Sequence, residues 1–199
     1  MKNERAKLFI DAVGPHGADG VFCAVSAALV MDAAAIGRAI ARMAHEIAER
    51  NPDETGLAVI GIRTHGVPLA QRLAGTLAGI LKRDVPTGEL DIAMHRDDIA
   101  LRVAPVVGPS HIPFDVTGRI IVLVDDVLFT GRSIRAALDE ITDFGRPKQI
   151  QLAVLVDRGH RELPIRPDFV GKNVPTAMTE RVAVRLTEVD GKDEVVMER

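Results

Sequence analysis

The chain has very few aromatic side chains and almost no cysteine. Tryptophan and tyrosine are absent, and aromatic residues make up 3% of the 199 residues. The core must therefore be built from aliphatic side chains. The single cysteine, Cys23, cannot form a disulfide within the chain, which is typical of proteins from a reducing compartment. We therefore expect a cytoplasmic protein.

Long apolar runs and a strong excess of one charge are also missing. No stretch reaches the roughly 18 consecutive apolar residues that a transmembrane helix needs. The apolar segment 21–31 resembles the centre of a signal peptide, but no basic region adjoins it, so we do not interpret it as a targeting signal. The net charge of −3 argues against binding nucleic acid through bulk charge, although it allows a local basic patch.

Apolar segments that alternate with helical patterns indicate the fold class. Residues 57–62, 120–124 and 151–157 are apolar runs of strand length. A helix is predicted after Asp32, a good N-cap, and a second helix over 67–81. The apolar stripe of the first helix consists of Ile36, Ile40, Met43 and Ile47. This alternation predicts an α/β fold with a parallel-core sheet flanked by helices.

The two ends of the chain have weaker patterns. Residues 1–28 lack periodicity and are expected to form a poorly ordered N-terminal tail, which leaves 29–199 as one domain. Near the other end, two short apolar segments flank an Asp190-Gly191 turn and predict a terminal hairpin.

Two long internal segments also lack a clear period. A strand is expected near 89–94, and residues 95–115 after it carry three prolines and form a long loop or flap. Residues 157–176 are again rich in proline and basic residues and are expected to be irregular. Long loops of this kind are often functional.

The stretch IIVLVDDVLFTGRSIRAAL, residues 120–138, is the most unusual part of the chain. An apolar run ends in Asp125 and Asp126, and the turn TGRS leads into a helical pattern. The polar loop of an ordinary βα unit could produce this pattern. A magnesium-binding strand of a nucleoside triphosphatase would need a G-x-x-x-x-G-K-[ST] loop, which the sequence lacks. In a third interpretation the carboxylates bind ribose hydroxyls, and the helix start binds a 5-phosphate.

In line with the third interpretation, the segment VLVDDVLFTGRS resembles the phosphoribosyl pyrophosphate (PRPP) motif of type I phosphoribosyltransferases. The resemblance implies that Asp125 and Asp126 bind the ribose and that the following residues line the site and hold the phosphate. These following residues are Val127, Leu128, Phe129, Thr130, Gly131, Arg132 and Ser133. In purine enzymes of the family that this motif resembles, the pattern is D-x-x-D-T-G, and the aspartate before the threonine faces the purine. This chain has Phe129 at that position, which favours a pyrimidine base.

Segments outside the motif, among them TGELDI, HRDD and LVDRGHRELPIR, resemble the PyrR family of pyrimidine operon regulators over about residues 30–197. The resemblance implies a type I phosphoribosyltransferase fold with a small hood over the base, and a homodimer or higher oligomer. It also implies an RNA-binding attenuator that responds to UMP or UTP and converts uracil and PRPP to UMP and diphosphate. Mg²⁺ would be held through PRPP and not by protein ligands. A plain uracil or orotate phosphoribosyltransferase and a nucleotide-sensing regulator without turnover stay open as alternatives.

The family pattern also assigns a diphosphate-binding loop. Arg63, Thr64 and His65 match this loop, with His65 at a position where relatives have arginine. Because histidine is only partly charged near neutral pH, this departure is expected to weaken phosphate binding. A non-proline cis peptide is expected at Thr64–His65.

The flap and the base pocket complete the implied active site. Arg96 leads into the flap that would close over PRPP, and Arg158 borders the base pocket, where the backbone of Val156 and Asp157 would also contribute. The residues implied to be catalytic are Asp125, Asp126, Arg63 and Arg96.

A separate set of basic residues is implied to contact pyrimidine-operon leader messenger RNA. Part of it lies at helical spacing on the first predicted helix, and the rest follows in the irregular segment after the third apolar run. Such a surface would bind RNA phosphates and read unpaired bases. The set consists of Arg38, Arg42, His45, His160, Arg161, Arg166 and Lys172.

Overall fold

The computed structural model describes residues 27–52, 56–93 and 108–199. Within these ranges the strands are β1 (Ala27–Asp32), β2 (Leu57–Ile62), β3 (Thr87–Leu90), β4 (Ile120–Leu128), β5 (Gln149–Asp157), β6 (Phe169–Asn173), β7 (Arg181–Arg185) and β8 (Glu194–Glu198). The helices are α1 (Ala33–Arg50), α2 (Gly66–Leu81), α3 (Arg132–Asp143) and α4 (Thr187–Asp190). No helix in the described part of the chain is long and apolar enough to cross a membrane.

Five strands form the central sheet in the order β3-β2-β4-β5-β6, and every neighbouring pair is parallel. Helices α1 and α2 pack against one face of this sheet, and α3 packs against the other. β2 is buried along its whole length, as expected for a strand covered by helices on both faces. The predicted α/β fold with a parallel-core sheet is therefore confirmed.

The predicted start of α1 is also confirmed. The Asp32 carboxylate accepts a hydrogen bond from the backbone N–H of Ala35 at 2.7 Å, which satisfies one of the free N–H groups of the first turn. The four apolar residues of the predicted stripe are all buried against the sheet. The amphipathic pattern thus fixes which face of α1 is buried, and its basic residues remain on the outer side.

A small antiparallel sheet, in the order β1-β8-β7, packs on the same core as α1 and α2. The predicted terminal hairpin corresponds to the β7–β8 pair. Its connection is not a two-residue turn, because the single helical turn α4 precedes Gly191, whose φ is +75°. β1 begins at Ala27 and pairs with β8.

Two predicted strands have other boundaries than expected, and one observed strand was not predicted. β4 does not end at Val124 but continues through both aspartates, because β5 still pairs with it as far as Leu128. β6 lies inside the segment expected to be irregular; there Gly171 allows a close approach, since a Cβ would lie 2.5 Å from Leu155 O. β3 lies at Thr87–Leu90, earlier than expected, because its pairing with β2 starts at Val59 and Thr87.

Candidate active site at the carboxyl end of the central sheet

Asp125 and Asp126 lie near the end of β4, where the sheet opens. β2 pairs with β4 only as far as Val124. Beyond that residue, β2 no longer pairs with this edge of β4. Adjacent residues of a strand point to opposite faces, and accordingly Asp125 is 8% exposed whereas the Asp126 side chain is 25% exposed. Asp125 Oδ1 accepts a hydrogen bond from Asp126 N at 3.0 Å, and Asp126 Oδ1 accepts one from Val127 N at 2.8 Å.

The predicted phosphate loop, residues 129–133 and called the phosphate loop below, follows β4 and leads into α3. Gly131 is the N-cap of α3 and has a φ of +93°, a conformation that glycine adopts without steric cost. Thr130 Oγ1 accepts a hydrogen bond from Arg132 N at 3.4 Å, and Ser133 lies in the first turn of α3. Free N–H groups at the start of a helix favour an anion. The Arg132 side chain is directed to Glu162, at 2.7 Å.

Residues 63–65 form the loop between β2 and α2, which begins at Gly66. The structure has a cis peptide at Arg63–Thr64 and not at Thr64–His65, so the predicted position was wrong by one residue. His65 already has helical backbone angles as the N-cap of α2, and the change of chain direction therefore falls before it. Gly66 brings this loop against β4, since a Cβ there would lie 2.5 Å from Val124 O. The Arg63 guanidinium pairs with Glu89 at 2.9 Å.

His65 lies between two carboxylates. Its Nε2 is 3.0 Å from Asp190 Oδ2, and its Nδ1 is 3.8 Å from Asp126 Oδ2. Asp190 ends α4 and also accepts a hydrogen bond from Leu186 N at 2.9 Å. The Leu186 N–H, and to a lesser extent His65, hold the pKa of Asp190 below its usual value. His65 therefore links the connection between β7 and β8 to the predicted ribose-binding carboxylate.

Arg158 follows β5 and is 7% exposed. Its guanidinium carbon lies 4.1 Å from the centroid of the Phe129 ring, a cation–π contact. Nε donates to Thr176 Oγ1 at 3.1 Å, and Nη2 donates to Ala177 O at 3.2 Å and to Glu180 O at 2.7 Å. Burial lowers the pKa of Arg158.

A cleft of about 430 Å³ adjoins this stack. It is lined by residues 157–160, at the end of β5, and by 173–176, after β6. His160 forms part of its wall, with Nε2 2.6 Å from Thr176 O. Since a carbonyl oxygen only accepts hydrogen bonds, Nε2 carries a proton. The Phe129 ring meets the His160 ring edge-on at 6.0 Å, so the cleft has an aromatic and cationic side next to the phosphate loop.

Known proteins resemble the chain closely in sequence. A family profile for the phosphoribosyl transferase domain matches residues 28–187. The chain is 63% identical over 163 residues to the bifunctional protein PyrR of Roseiflexus sp. (strain RS-1). The aligned region covers 81% of this chain and 89% of that relative. It is 58% identical over 171 residues to the bifunctional protein PyrR of Chloroflexus aurantiacus, across 85% of this chain and 94% of that one. The chain belongs to the PyrR family.

Solved structures of phosphoribosyltransferases share the fold of this PyrR-family chain. The hypoxanthine phosphoribosyltransferase of Trypanosoma cruzi superposes with a TM-score of 0.64 at 16% identity, covering 85% of this chain and 94% of that one. A hypoxanthine-guanine phosphoribosyltransferase of Bacillus anthracis gives a TM-score of 0.60 at 17% identity, covering 74% and 84%. At such identities the likeness concerns the fold alone, and it confirms the expected type I phosphoribosyltransferase fold.

Three of the residues that the PyrR resemblance implies to contact RNA line one groove. Arg38, Arg42 and Lys172 line a groove of about 310 Å³ between α1 and β6. Arg42 donates to the carbonyl oxygens of residues 170 and 171 at 2.9 and 2.7 Å, and Lys172 donates to Val30 O at 2.9 Å. His45 is exposed on α1.

The other predicted RNA contacts come from the segment between β5 and β6. His160 and Arg161 lie at the carboxyl ends of β4 and β5, where they bond to protein groups. Arg166 is exposed farther along this segment. The groove between α1 and β6 therefore collects only part of the predicted set.

Several other implied residues have a defined place in this PyrR-family site. Leu128 and Val156 are in the core, so they can offer only main-chain groups to a ligand. The Asp157 carboxylate is bonded to Gly159 N and to Arg161 Nη2. Arg96 lies outside the described residues.

Sequence reasoning missed Asp190, Thr176 and Glu89 as partners of site residues. Asp190 is separated from its partner His65 by 125 positions, and Thr176 contacts Arg158 from beyond β6. Glu89 pairs with Arg63 from the neighbouring strand β3. No local pattern marks such residues, because each acts through a tertiary contact.

Proposed function

We propose that this protein transfers the phosphoribosyl group of PRPP to uracil and also binds pyrimidine-operon leader RNA in response to UMP or UTP. One observation is the main support for the proposed phosphoribosyl transfer. A buried and a partly exposed aspartate lie near the end of β4, and the positive-φ turn at Gly131 follows them and starts α3. Membership of the PyrR family, whose curated relatives are named bifunctional, supports the combination of two activities.

Each part of the site has a role in the proposed reaction. The Asp126 carboxylate accepts hydrogen bonds from ribose hydroxyls, and the N–H groups of the phosphate loop hold the 5-phosphate. Asp125 and Asp126 place negative charge where the sugar becomes cation-like, which lowers the barrier electrostatically. The loop at residues 63–65 faces the departing diphosphate, and Arg63 supplies a positive charge there. Uracil enters the cleft beside Arg158.

Mg²⁺ fits this arrangement. The ion commonly keeps several waters and binds through substrate phosphates, so PRPP and water would supply its ligands, and the partly exposed Asp126 carboxylate would add favourable negative charge to the site. When bound with PRPP, Mg²⁺ neutralises charge on the diphosphate leaving group.

Phe129 supports a pyrimidine substrate. Its ring stacks with Arg158, which lines the cleft, so no carboxylate stands at this position to accept a proton from a purine. The remaining alternatives are a plain uracil or orotate phosphoribosyltransferase without an RNA role and a regulator that binds nucleotide without turnover.

Initial rates of nucleotide formation from PRPP test the enzymatic half. Uracil, orotate and hypoxanthine are offered separately, and we expect UMP from uracil alone. A preference for orotate would contradict the substrate assignment. PRPP binding without turnover of any base would support the purely regulatory alternative.

Filter binding to a pyrimidine-operon leader RNA, with and without UMP, tests the regulatory half. Arg38→Glu is the preferred variant, because Arg38 is exposed on the groove and has no side-chain partner among the described residues. Arg42 is less suitable, since its loss would also remove the bonds to β6. We expect Arg38→Glu to weaken RNA binding and to reduce the slope of log affinity against log salt by about one.

A matched charge reversal controls for the change in net charge. Arg146→Glu alters an exposed arginine in the turn between α3 and β5 and should leave RNA affinity unchanged. Equal losses in both variants would show that bulk charge, and not the groove, binds RNA. Leader RNA affinity that does not respond to UMP would contradict the proposed regulation.

A further inference from the structure

The Arg161 guanidinium is hydrogen-bonded to other groups of the protein. The residue was expected to contact RNA, yet its side chain is only 22% exposed, and all three guanidinium nitrogens donate to protein oxygens. The acceptors are Ile165 O at 3.1 Å from Nε, Phe129 O at 2.8 Å, Gly159 O at 3.1 Å and Leu128 O at 3.4 Å from Nη1, and Asp157 Oδ2 at 2.6 Å from Nη2.

These acceptors belong to three parts of the candidate active site. Leu128 and Phe129 are where β4 passes into the phosphate loop, Asp157 ends β5, and the others lie in the turn formed by residues 158–165. Further bonds join that turn to the loop, since Thr130 O accepts from the backbone N–H groups of residues 162 and 163 at 3.0 and 3.1 Å. The turn and the phosphate loop therefore form one hydrogen-bonded unit, with Arg161 at its centre.

We propose that Arg161 is a positioning residue for the phosphate loop. It holds the Leu128 and Phe129 peptide groups in place, and this orients the N–H groups of residues 130–133 toward the 5-phosphate of PRPP or UMP. The inference rests on the proposed function, because it assigns the phosphate loop to a phosphoribosyl ligand. Arg161 touches no reacting atom; it acts through the loop.

Lysine at this position separates positioning from direct RNA contact. An ammonium group provides the positive charge that suffices for an RNA phosphate. It cannot reproduce the planar fork that reaches β4, β5 and the turn at once. Arg161→Lys should therefore keep any electrostatic RNA contact and lose the positioning.

The test compares Arg161→Lys and Arg161→Gln with Arg146→Lys, which changes an exposed arginine outside the site. Both Arg161 variants should raise KM for PRPP and the Kd for UMP about tenfold or more, as expected from losing hydrogen bonds to a charged group. kcat should change less than about threefold, because Asp125 and Asp126 remain. Amide hydrogen exchange of residues 129–133 should accelerate in both variants and not in Arg146→Lys.

Unchanged KM for PRPP together with weakened leader-RNA binding in Arg161→Lys would overturn the proposal and favour direct RNA contact. Unchanged exchange of residues 129–133 would overturn it as well. The exchange measurement needs no ligand, so it stays decisive even if the wild-type protein forms no UMP, in which case the proposed function alone has failed. If an Arg161 variant does not fold, Asp157→Asn weakens the same set of bonds at one end and should shift exchange and KM for PRPP in the same direction.

Discussion

Replacing Phe129 with leucine should destabilise the base cleft selectively. The ring lies 4.1 Å from the Arg158 guanidinium carbon and meets His160 edge-on. Leucine keeps an apolar side chain of similar reach but has no ring quadrupole. Arg158 would then depend on its bonds to Thr176, Ala177 and Glu180 alone. We therefore expect Arg158 to be held less firmly against the cleft.

The size of the effect follows from the burial of the pair. Cation–π contacts contribute about 0.5–1 kcal/mol when exposed and about 2 kcal/mol when desolvated. Arg158 is 7% exposed and Phe129 is half-buried, so Phe129→Leu should lower the free energy of unfolding by about 1–2 kcal/mol. For a chain of this size that corresponds to a decrease in Tm of about 2–8 °C. KM for uracil should rise about three- to tenfold.

Thermal unfolding and steady-state kinetics measure these changes. Phe144→Leu is a matched control, because Phe144 is 42% exposed at the end of α3, and it should change Tm and KM little. KM for PRPP should stay within about twofold in Phe129→Leu, since the backbone of the phosphate loop is intact. Wild-type values of both Tm and KM for uracil would refute the reasoning. An equal rise in KM for PRPP would show that Phe129 acts through the phosphate loop.

Three further predictions concern other parts of the molecule. Gly66→Ala should lower stability by about 1–3 kcal/mol in unfolding titrations, because its Cβ would lie 2.5 Å from a β4 carbonyl oxygen, whereas Gly37→Ala in α1 meets nothing within 4 Å and should stabilise. Arg72 lowers the pKa of Asp193, so Asp193→Asn should lower Tm at pH 7, and the difference from wild type should shrink as the pH falls below about 4; a difference that grows in acid would contradict this. Phe129→Asp should not yield IMP from hypoxanthine and PRPP; purine turnover would show that the account of the base cleft is wrong.

Features encoded within a short segment could be predicted from the sequence. β2 occupies the predicted residues 57–62, and Asp32 caps α1 as expected, because an apolar run or a capping side chain acts on its immediate neighbours. β6 escaped prediction because its burial depends on pairing with β5 and on packing against α1. The extension of β4 beyond Val124 likewise depends on β5, since polar residues at a strand end suggest a loop when the partner strand is unknown.

The site shows the same division between local and tertiary information. The order of aspartates, phosphate loop and helix could be read along one segment, whereas the His65–Asp190 contact joins residues 125 positions apart. Arg161 illustrates why charge alone misleads. In the sequence it is one of several basic residues. Only the fold brings to it the carbonyl oxygens that accept its hydrogen bonds.

Diphosphate release from PRPP in the presence of uracil tests the central claim most directly. The wild-type protein should release diphosphate and form UMP in equal amounts. Asp126→Asn should reduce the rate at least about a hundredfold, because it removes charge facing the reacting sugar. Asp139→Asn, which alters an exposed ion pair with Arg135 on α3, should keep the wild-type rate. A wild-type rate in Asp126→Asn would contradict the assignment of the carboxyl end of β4 as the active site.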